Sequence, residues 1–221
     1  MQASIGATDR VWIRTSGLFL LPYLSCHVPR AHQWMQSPEL QELTCSEPLT
    51  LEEEYENQQG WWTEEKKMLI LCPHDQNRRP ISTEEDAIID SLTSACGDVS
   101  LVMLSDDDAE KGNPKLLRSA ELDVMITDPL QRRQGHAQQG LAAIMKYAYE
   151  HLGVRRFVAK ILDHNQASLA LFRRLGFEEF NRVEVFHEVH MHYCAEEPSR
   201  LHSPGSDYVL APLHRLAPPS D

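Results

Sequence analysis

The run Arg132-Arg133-Gln134-Gly135-His136-Ala137 constrains this chain more than any other stretch, because of what stands on either side of it. Before it, Glu121 to Thr127 reads as a strand; after it, the apolar spacing is that of a helix. A basic, glycine-containing loop that opens a helix can hold a pyrophosphate. Successive backbone N–H groups face the phosphate oxygens, the helix dipole adds partial positive charge, and arginines supply charge-assisted hydrogen bonds. Gly135 permits close approach of the backbone, and Ala137 keeps the next turn small. Alone, the hexapeptide fits an ordinary surface turn equally well.

The residues downstream shift that balance. Ala137, Leu141, Ile144, Met145, Ala148 and Leu152 recur with a helical period, and Gly153 suits a C-terminal cap. Arg156 to Ile161 then reads as a short strand. Asp163-His164-Asn165 is a turn and N-cap for a second helix, whose apolar residues fall at Leu171, Phe172 and Leu175. Gly176-Phe177 ends that helix and begins a strand to Phe180. The block is strand, anion loop, helix, strand, turn, helix, strand.

These residues resemble the GNAT superfamily of N-acetyltransferases. Arg132-x-x-Gly135-x-Ala137 is similar to its acetyl-CoA pyrophosphate motif. Asn165-x-x-Ser168-x-x-Leu171-Phe172-x-x-x-Gly176-Phe177 resembles its second signature, an asparagine at the end of the fifth strand followed by a helix. Upstream, Pro22-Tyr23, His27-Val28-Pro29-Arg30, Trp34-Met35, Pro38 to Gln41 and Leu43 to Tyr55 resemble the N-acetyltransferase-9-like branch, within the wider group that includes ribosomal-protein alanine acetyltransferases. The resemblance spans roughly Leu18 to His192. It implies an α/β (α+β) GNAT fold: a mixed, mostly antiparallel central sheet, splayed between the fourth and fifth strands and flanked by helices.

The resemblance also implies a site. Acetyl-CoA is the expected co-substrate, and no metal is expected. Arg132, Arg133, Gln134, Gly135, His136 and Ala137 would hold the pyrophosphate, and the backbone of Val124, Met125 and Ile126 the pantetheine arm. Asn165, with Ser168 and Phe172, would complete the cofactor wall, the asparagine amide offering both donor and acceptor. A backbone N–H of the fourth strand would polarise the thioester carbonyl. Since the thioester is already activated, positioning of the two reactants supplies much of the catalysis.

Three carboxylates are candidates for the general base. Glu121 and Asp123 lie two apart on a predicted strand and so share a face; Glu47 sits in a loop between the first and second strands. Each also reads as a solvent-facing or turn-forming acid. Many GNAT enzymes have, where this chain has Phe172, a tyrosine that protonates the leaving thiolate. Phenylalanine has no proton to give, but a thiol titrating near ~8.5 leaves tolerably without one.

Two functions are compatible with these residues. The first is transfer of an acetyl group to a protein or peptide amine, an α-amino group by family analogy, directly within a ternary complex. The alternative is a weak or inactive acyl-CoA-binding or protein-interaction module on a GNAT scaffold.

Composition narrows the setting. The chain has 221 residues and a net charge of −12, with acids spread throughout, which disfavours nucleic acid as a partner. Five cysteines, odd in number and without close pairing, fit reduced thiols. Leu18 to Leu24 is interrupted by Pro22 and lacks a cleavage site, so it reads as a strand rather than a signal peptide. No stretch approaches the ~20 apolar residues of a membrane span. Cytosol, with access to the nucleus, is the expected location; oligomeric state is left open.

Along the chain, residues 1–17 form an atypical segment, 18–193 the domain, and 194–221 a Pro-, Ser- and His-rich tail expected to be disordered. Helices are expected over His27 to Met35, Pro38 to Thr44 (Ser37 as N-cap) and from Thr50, whose capping box uses Glu53. Strands are expected over Lys67 to Cys72, Gly97 to Ser105, Ala120 to Thr127 and Val183 to Tyr193. Loops fill Pro73 to Asp86 and Asp106 to Lys115. His187, His190 and His192 lack metal-helix spacing. Trp61-Trp62 either lines an acceptor pocket or anchors a loop.

Overall fold

The computed structural model describes residues 10–74, 83–105, 118–195, 203–204 and 207–213. Among them, nine strands form one sheet in the order β7-β8-β6-β5-β4-β3-β2-β1-β9. The strands are β1 (Val11–Arg14), β2 (Leu18–Pro22), β3 (Lys66–Pro73), β4 (Gly97–Met103), β5 (Ser119–Ile126), β6 (Arg156–Leu162), β7 (Glu178–Val183), β8 (Glu188–Cys194) and β9 (Val209–Pro212). The helices are α1 (Val28–Trp34), α2 (Pro38–Thr44), α3 (Leu51–Gln59), α4 (Glu84–Ser94), α5 (His136–His151) and α6 (Gln166–Arg174).

β5 and β6 pair in parallel, and every other neighbouring pair is antiparallel. A parallel pair needs a crossover, which α5 supplies. The β5–β6 ladder is short. Ser119, Ala120 and Glu121 pair with Arg156, Phe157 and Val158, whereas β5 continues to Ile126 and β6 to Leu162. Beyond Glu121 the two strands separate, so the sheet is splayed where the resemblance implies, and the V-shaped gap positions the site.

Each face of the sheet carries its own core. On one, α5 and α6 bury Leu141, Ile144, Tyr147, Leu169 and Phe172 against Leu20, Leu71, Leu101, Leu122, Phe157 and Ile161. On the other, Val28 of α1 and Ala87 of α4 pack on Phe19, Leu21, Ile70 and Cys72. The alternation of β2 and β3 between these cores is the two-residue period of a strand with both faces covered. Buried His27 joins the second core to α4: its Nδ1 accepts from Leu24 N–H at 3.1 Å, and Nε2 lies 2.8 Å from Ser91 Oγ.

Several expectations need correction. Val11–Arg14, inside the atypical N-terminal segment, is a strand with Val11 and Ile13 fully buried. Val209–Pro212, inside the expected tail, pairs antiparallel with it. Two buried positions in four residues are too few to show a period in sequence. Because β1 comes first, the expected fourth and fifth strands are β5 and β6. The strand expected over Val183 to Tyr193 is broken by a 3-10 turn at Glu184–Phe186 and by His187 at φ +53°, giving the β7–β8 hairpin. Helix α4 has no counterpart among the expected elements. It starts just after Thr83, whose side chain accepts from Asp86 N–H at 3.1 Å. Residues 75–82 of the expected Pro73–Asp86 loop, the expected Asp106–Lys115 loop, residues 1–9 and most of the expected tail lie outside the described residues.

Candidate active site

Two adjoining clefts meet at the gap between β5 and β6. One, about 350 Å³, is walled by the β5–α5 loop, the start of α5, α6 and α2. The other, about 590 Å³, is walled by the opposite end of the gap, β3, β4, α3 and the α2–α3 loop. Val124, Met125, Asn165 and Ser168 border both.

The smaller cleft contains the anion loop. Arg132, Arg133, Gly135, His136 and Ala137 are in its wall; Gln134 is not, and its amide donates to the Leu130 carbonyl at 2.6 Å. Gly135 is the N-cap of α5 with φ +87°, a left-handed conformation that glycine adopts without strain. A Cβ built there meets nothing within 4 Å, so the protein itself leaves this space open. Helices α2, α3, α4 and α6 each have a side-chain N-cap, from Ser37, Thr50, Thr83 and Asn165, whereas α5, like the short α1, has none. The first N–H groups of α5 therefore keep their donor capacity and the helix dipole is uncompensated, which suits an anion.

Charge around this wall is less simple than the motif implies. Arg132 donates through Nε to the Ile126 carbonyl at 3.1 Å, and its Nη1 pairs with Glu39 of α2 at 2.8 Å. Arg174, at the end of α6, adds a cation the motif did not include. Asn165 Oδ1 accepts from Ser168 N–H at 3.1 Å, which leaves the asparagine NH₂ as the donor available to the cleft.

The open edge of β5 can be assigned group by group. Thr127 N–H donates to Cys96, and the Ser119 carbonyl accepts from Leu104, both toward β4. Alternation then directs the main chain of Met125 toward β4 as well, and that of Leu122, Val124 and Ile126 toward the gap. On this alternation the Met125 main chain faces β4, while the residue itself borders both clefts. Val124 offers its N–H and carbonyl to the gap. Phe172 is 2% exposed and meets Phe177 edge-on at 4.9 Å; it belongs to the core while also bordering the larger cleft.

All three candidate carboxylates, Glu47, Glu121 and Asp123, fall in the wall of the larger cleft. Glu121 is ion-paired with Lys160 of β6 at 2.7 Å, which ties up its charge. Asp123 is open to the cleft yet set in a concave, protein-rich wall. Burial, with the Glu121 charge adding and Lys160 opposing, pushes its pKa up to about 6. Sequence reasoning missed Asp98 of β4, 7% exposed, whose pKa is pushed up to about 7 by burial and then by Asp123. Asp98 and Ser100 alternate with apolar residues in Gly97–Met103, a signal of a polar strand face. It also missed Tyr23 and Glu54, which border this cleft too. Both tryptophans pack against a core, Trp61 against the second and Trp62 against the first, and Trp61 also lines the cleft. Among the described residues no group of three or more His, Cys, Asp or Glu side chains is placed to hold a metal ion.

A carboxyl group titrating near neutrality, beside a strand edge with a free N–H and an uncapped helix that suits a diphosphate, is the equipment of an acyl transferase. Comparison with known proteins agrees. Residues 18–178 match the family described as Acetyltransferase (GNAT) domain. An N-acetyltransferase 9-like protein of Nematostella vectensis is 39% identical over 184 residues, 83% of this chain and 86% of that one. The alpha/beta-tubulin-N-acetyltransferase 9 of Mus musculus is 37% identical over 183 residues, covering 82% of this chain and 70% of that one. Among solved structures, the ribosomal L7/L12 alpha-N-protein acetyltransferase RimL in complex with coenzyme A superimposes with a TM-score of 0.61 at 20% identity, over 82% of this chain and 96% of that one. The chain belongs to the GNAT acetyltransferase family, in its N-acetyltransferase 9-like branch, and is an N-acetyltransferase.

Proposed function

We propose that this protein transfers the acetyl group of acetyl-CoA to an amine of a protein, an α-amino group, by direct attack within a ternary complex. The observation that carries this reading is the gap between β5 and β6. It connects an anion-suited helix start in one cleft with a carboxylate-lined pocket in the other, so donor and acceptor can meet from opposite sides at Val124. The names of the mouse relative and of RimL, both of which act on proteins, support a protein acceptor; tubulin is the acceptor the mouse relative's name points to.

The residues fit the coenzyme. The N–H groups that open α5, the space at Gly135, and Arg133 and Arg174 suit the diphosphate. Bound there, acetyl-CoA supplies an activated acyl group on a thiolate leaving group. Asp123 takes the proton of the incoming ammonium, directly or through water, and so frees the nitrogen lone pair. Val124 N–H donates to the carbonyl oxygen as negative charge develops on it. Phe172 gives no proton, so the thiolate departs as such or is protonated from water.

The test is transfer from labelled acetyl-CoA to a library of free-amine peptides, with coenzyme A affinity measured in parallel by calorimetry. Wild-type turnover, abolished in Gly135→Asp with loss of coenzyme binding and in Asp123→Asn without it, is the expected result. Coenzyme binding with no transfer to any peptide would favour the binding-module alternative.

A further inference from the structure

Three polar groups in the larger cleft have no role in the chemistry above and, among the described residues, no partner. Tyr23, just after β2, is 4% exposed, and its Oη is buried without a hydrogen bond. Glu54 of α3 is 6% exposed and Asp98 of β4 is 7% exposed; among the described residues neither carboxyl group has a hydrogen bond or an ion pair. All three border the same space. They are also near one another, since the charges of Glu54 and Asp98, after burial itself, raise the Tyr23 pKa. Tyr23 and α3 are held in register by Gln58, whose Nε2 donates to the Tyr23 carbonyl at 2.7 Å.

Leaving a buried polar group unsatisfied costs about 1–3 kcal/mol, and a charged one more, so native proteins seldom tolerate even one without cause. Here Tyr23 Oη is such a group, and beside it on the same cleft stand two carboxyl groups, of Glu54 and Asp98, without a protein partner among the described residues. Burial raises the proton affinity of Glu54, with His32 of α1 the basic group whose field opposes it, and His32 does not hydrogen-bond to it. What satisfies two buried acids and a phenol together is a cation with several N–H donors. Trp61, Met35, Met68 and Ile70 line the remaining wall and can pack the aliphatic stem of such a group.

We propose that Tyr23, Glu54 and Asp98 form a second cation subsite in the acceptor cleft, which binds a guanidinium or ammonium group of the acceptor other than the amine that is acetylated. The inference rests on the acceptor cleft assigned above, and it narrows the acceptor to molecules with two cationic nitrogens. A basic side chain near the start of a polypeptide and a free polyamine share this chemistry.

Binding rather than turnover tests it, so that failure of transfer and failure of the subsite are read separately. Calorimetry on the full chain with excess coenzyme A, which has no acetyl group to transfer, compares alanine-rich hexapeptides carrying arginine, lysine or norleucine at positions one, two or three, together with spermidine. At least tenfold tighter binding of an arginine or lysine peptide than of its norleucine counterpart is expected. That preference should fall to near unity in Tyr23→Phe and Glu54→Gln, both close in shape to the native residues, with a melting temperature no lower than that of the wild type showing that the fold is kept. Tight spermidine binding with no basic-peptide preference assigns the subsite to a free polyamine. Equal affinity for arginine, lysine and norleucine at all three positions with spermidine unbound, or a preference that survives in both variants, overturns the proposal.

Discussion

Asp123 on β5 lies close enough to Asp98 on β4 for its charge to raise the proton affinity of Asp98. Register explains why. Asp123 is opposite Ser100 and Asp98 opposite Met125, so the two acids are diagonal neighbours on one face of an antiparallel pair. Two carboxyl groups that hold their protons more tightly than usual are therefore built into the sheet, before any substrate is present.

Asp123 must be ionised to accept a proton, and its pKa is pushed up to about 6. The acid limb of the pH profile of kcat/KM is accordingly expected near pH 6, with activity falling below it. In Asp123→Asn that limb should vanish and kcat drop about 10²–10⁴-fold. Steady-state kinetics from pH 5 to 9 checks both; an unshifted limb in the variant would show that another group is the base.

Glu39 competes for the arginine that the motif places at the diphosphate. Its ion pair with Arg132 is between partly exposed side chains, 33% and 57% accessible, so it is worth about 1 kcal/mol or less. Glu39→Gln is expected to tighten coenzyme A binding by a few fold, and more at low salt than at high. Titration calorimetry at two ionic strengths measures this.

Gly97 lies opposite Ile126 at the start of β4, and a Cβ on it would come within 1.9 Å of the Met125 carbonyl oxygen. Backbone on backbone cannot yield as a side chain end can. Gly97→Ala should destabilise the fold by about 3 kcal/mol and shift β5 where it borders the gap. Thermal melting reads the first effect; weakened coenzyme binding reads the second.

His27 is held neutral. Its Nδ1 accepts from Leu24 N–H, and burial lowers its pKa to about 4. In the unfolded chain the imidazole titrates near ~6.5. The unfolded state therefore takes up the proton first on acidification. This stabilisation is complete above about pH 6.5 and is lost as pH falls toward 4, amounting to about 3 kcal/mol. The raised pKa values of Asp98 and Asp123 act in the opposite sense, so the comparison should be with His27→Gln. Urea unfolding at pH 7 and pH 4.5 should show the wild type losing more stability than that variant.

Local patterns carried much of this protein. The period of Leu141, Ile144, Met145 and Ala148 marked α5, Thr50 with Glu53 marked the start of α3, and Gly135 marked the turn between β5 and α5, because each depends on near neighbours in the chain. Glu47, Glu121 and Asp123 were recognisable as acids of the right kind. Their ranking was not, since it depends on a Lys160 contributed by another strand.

What only the tertiary structure decided depends on residues far apart in sequence. β9 has four residues and pairs with β1 across nearly the whole chain, while β1 is held between β9 and its neighbour β2. Arg132 is paired with Glu39, and Asp98, Tyr23 and Glu54 converge from β4, the segment after β2, and α3, because folding sets them around one cleft. A sequence fixes which groups exist and which local turns they favour; burial and the fields of distant charges, which set proton affinity and leave polar groups unpaired, arise only when the strands are laid side by side.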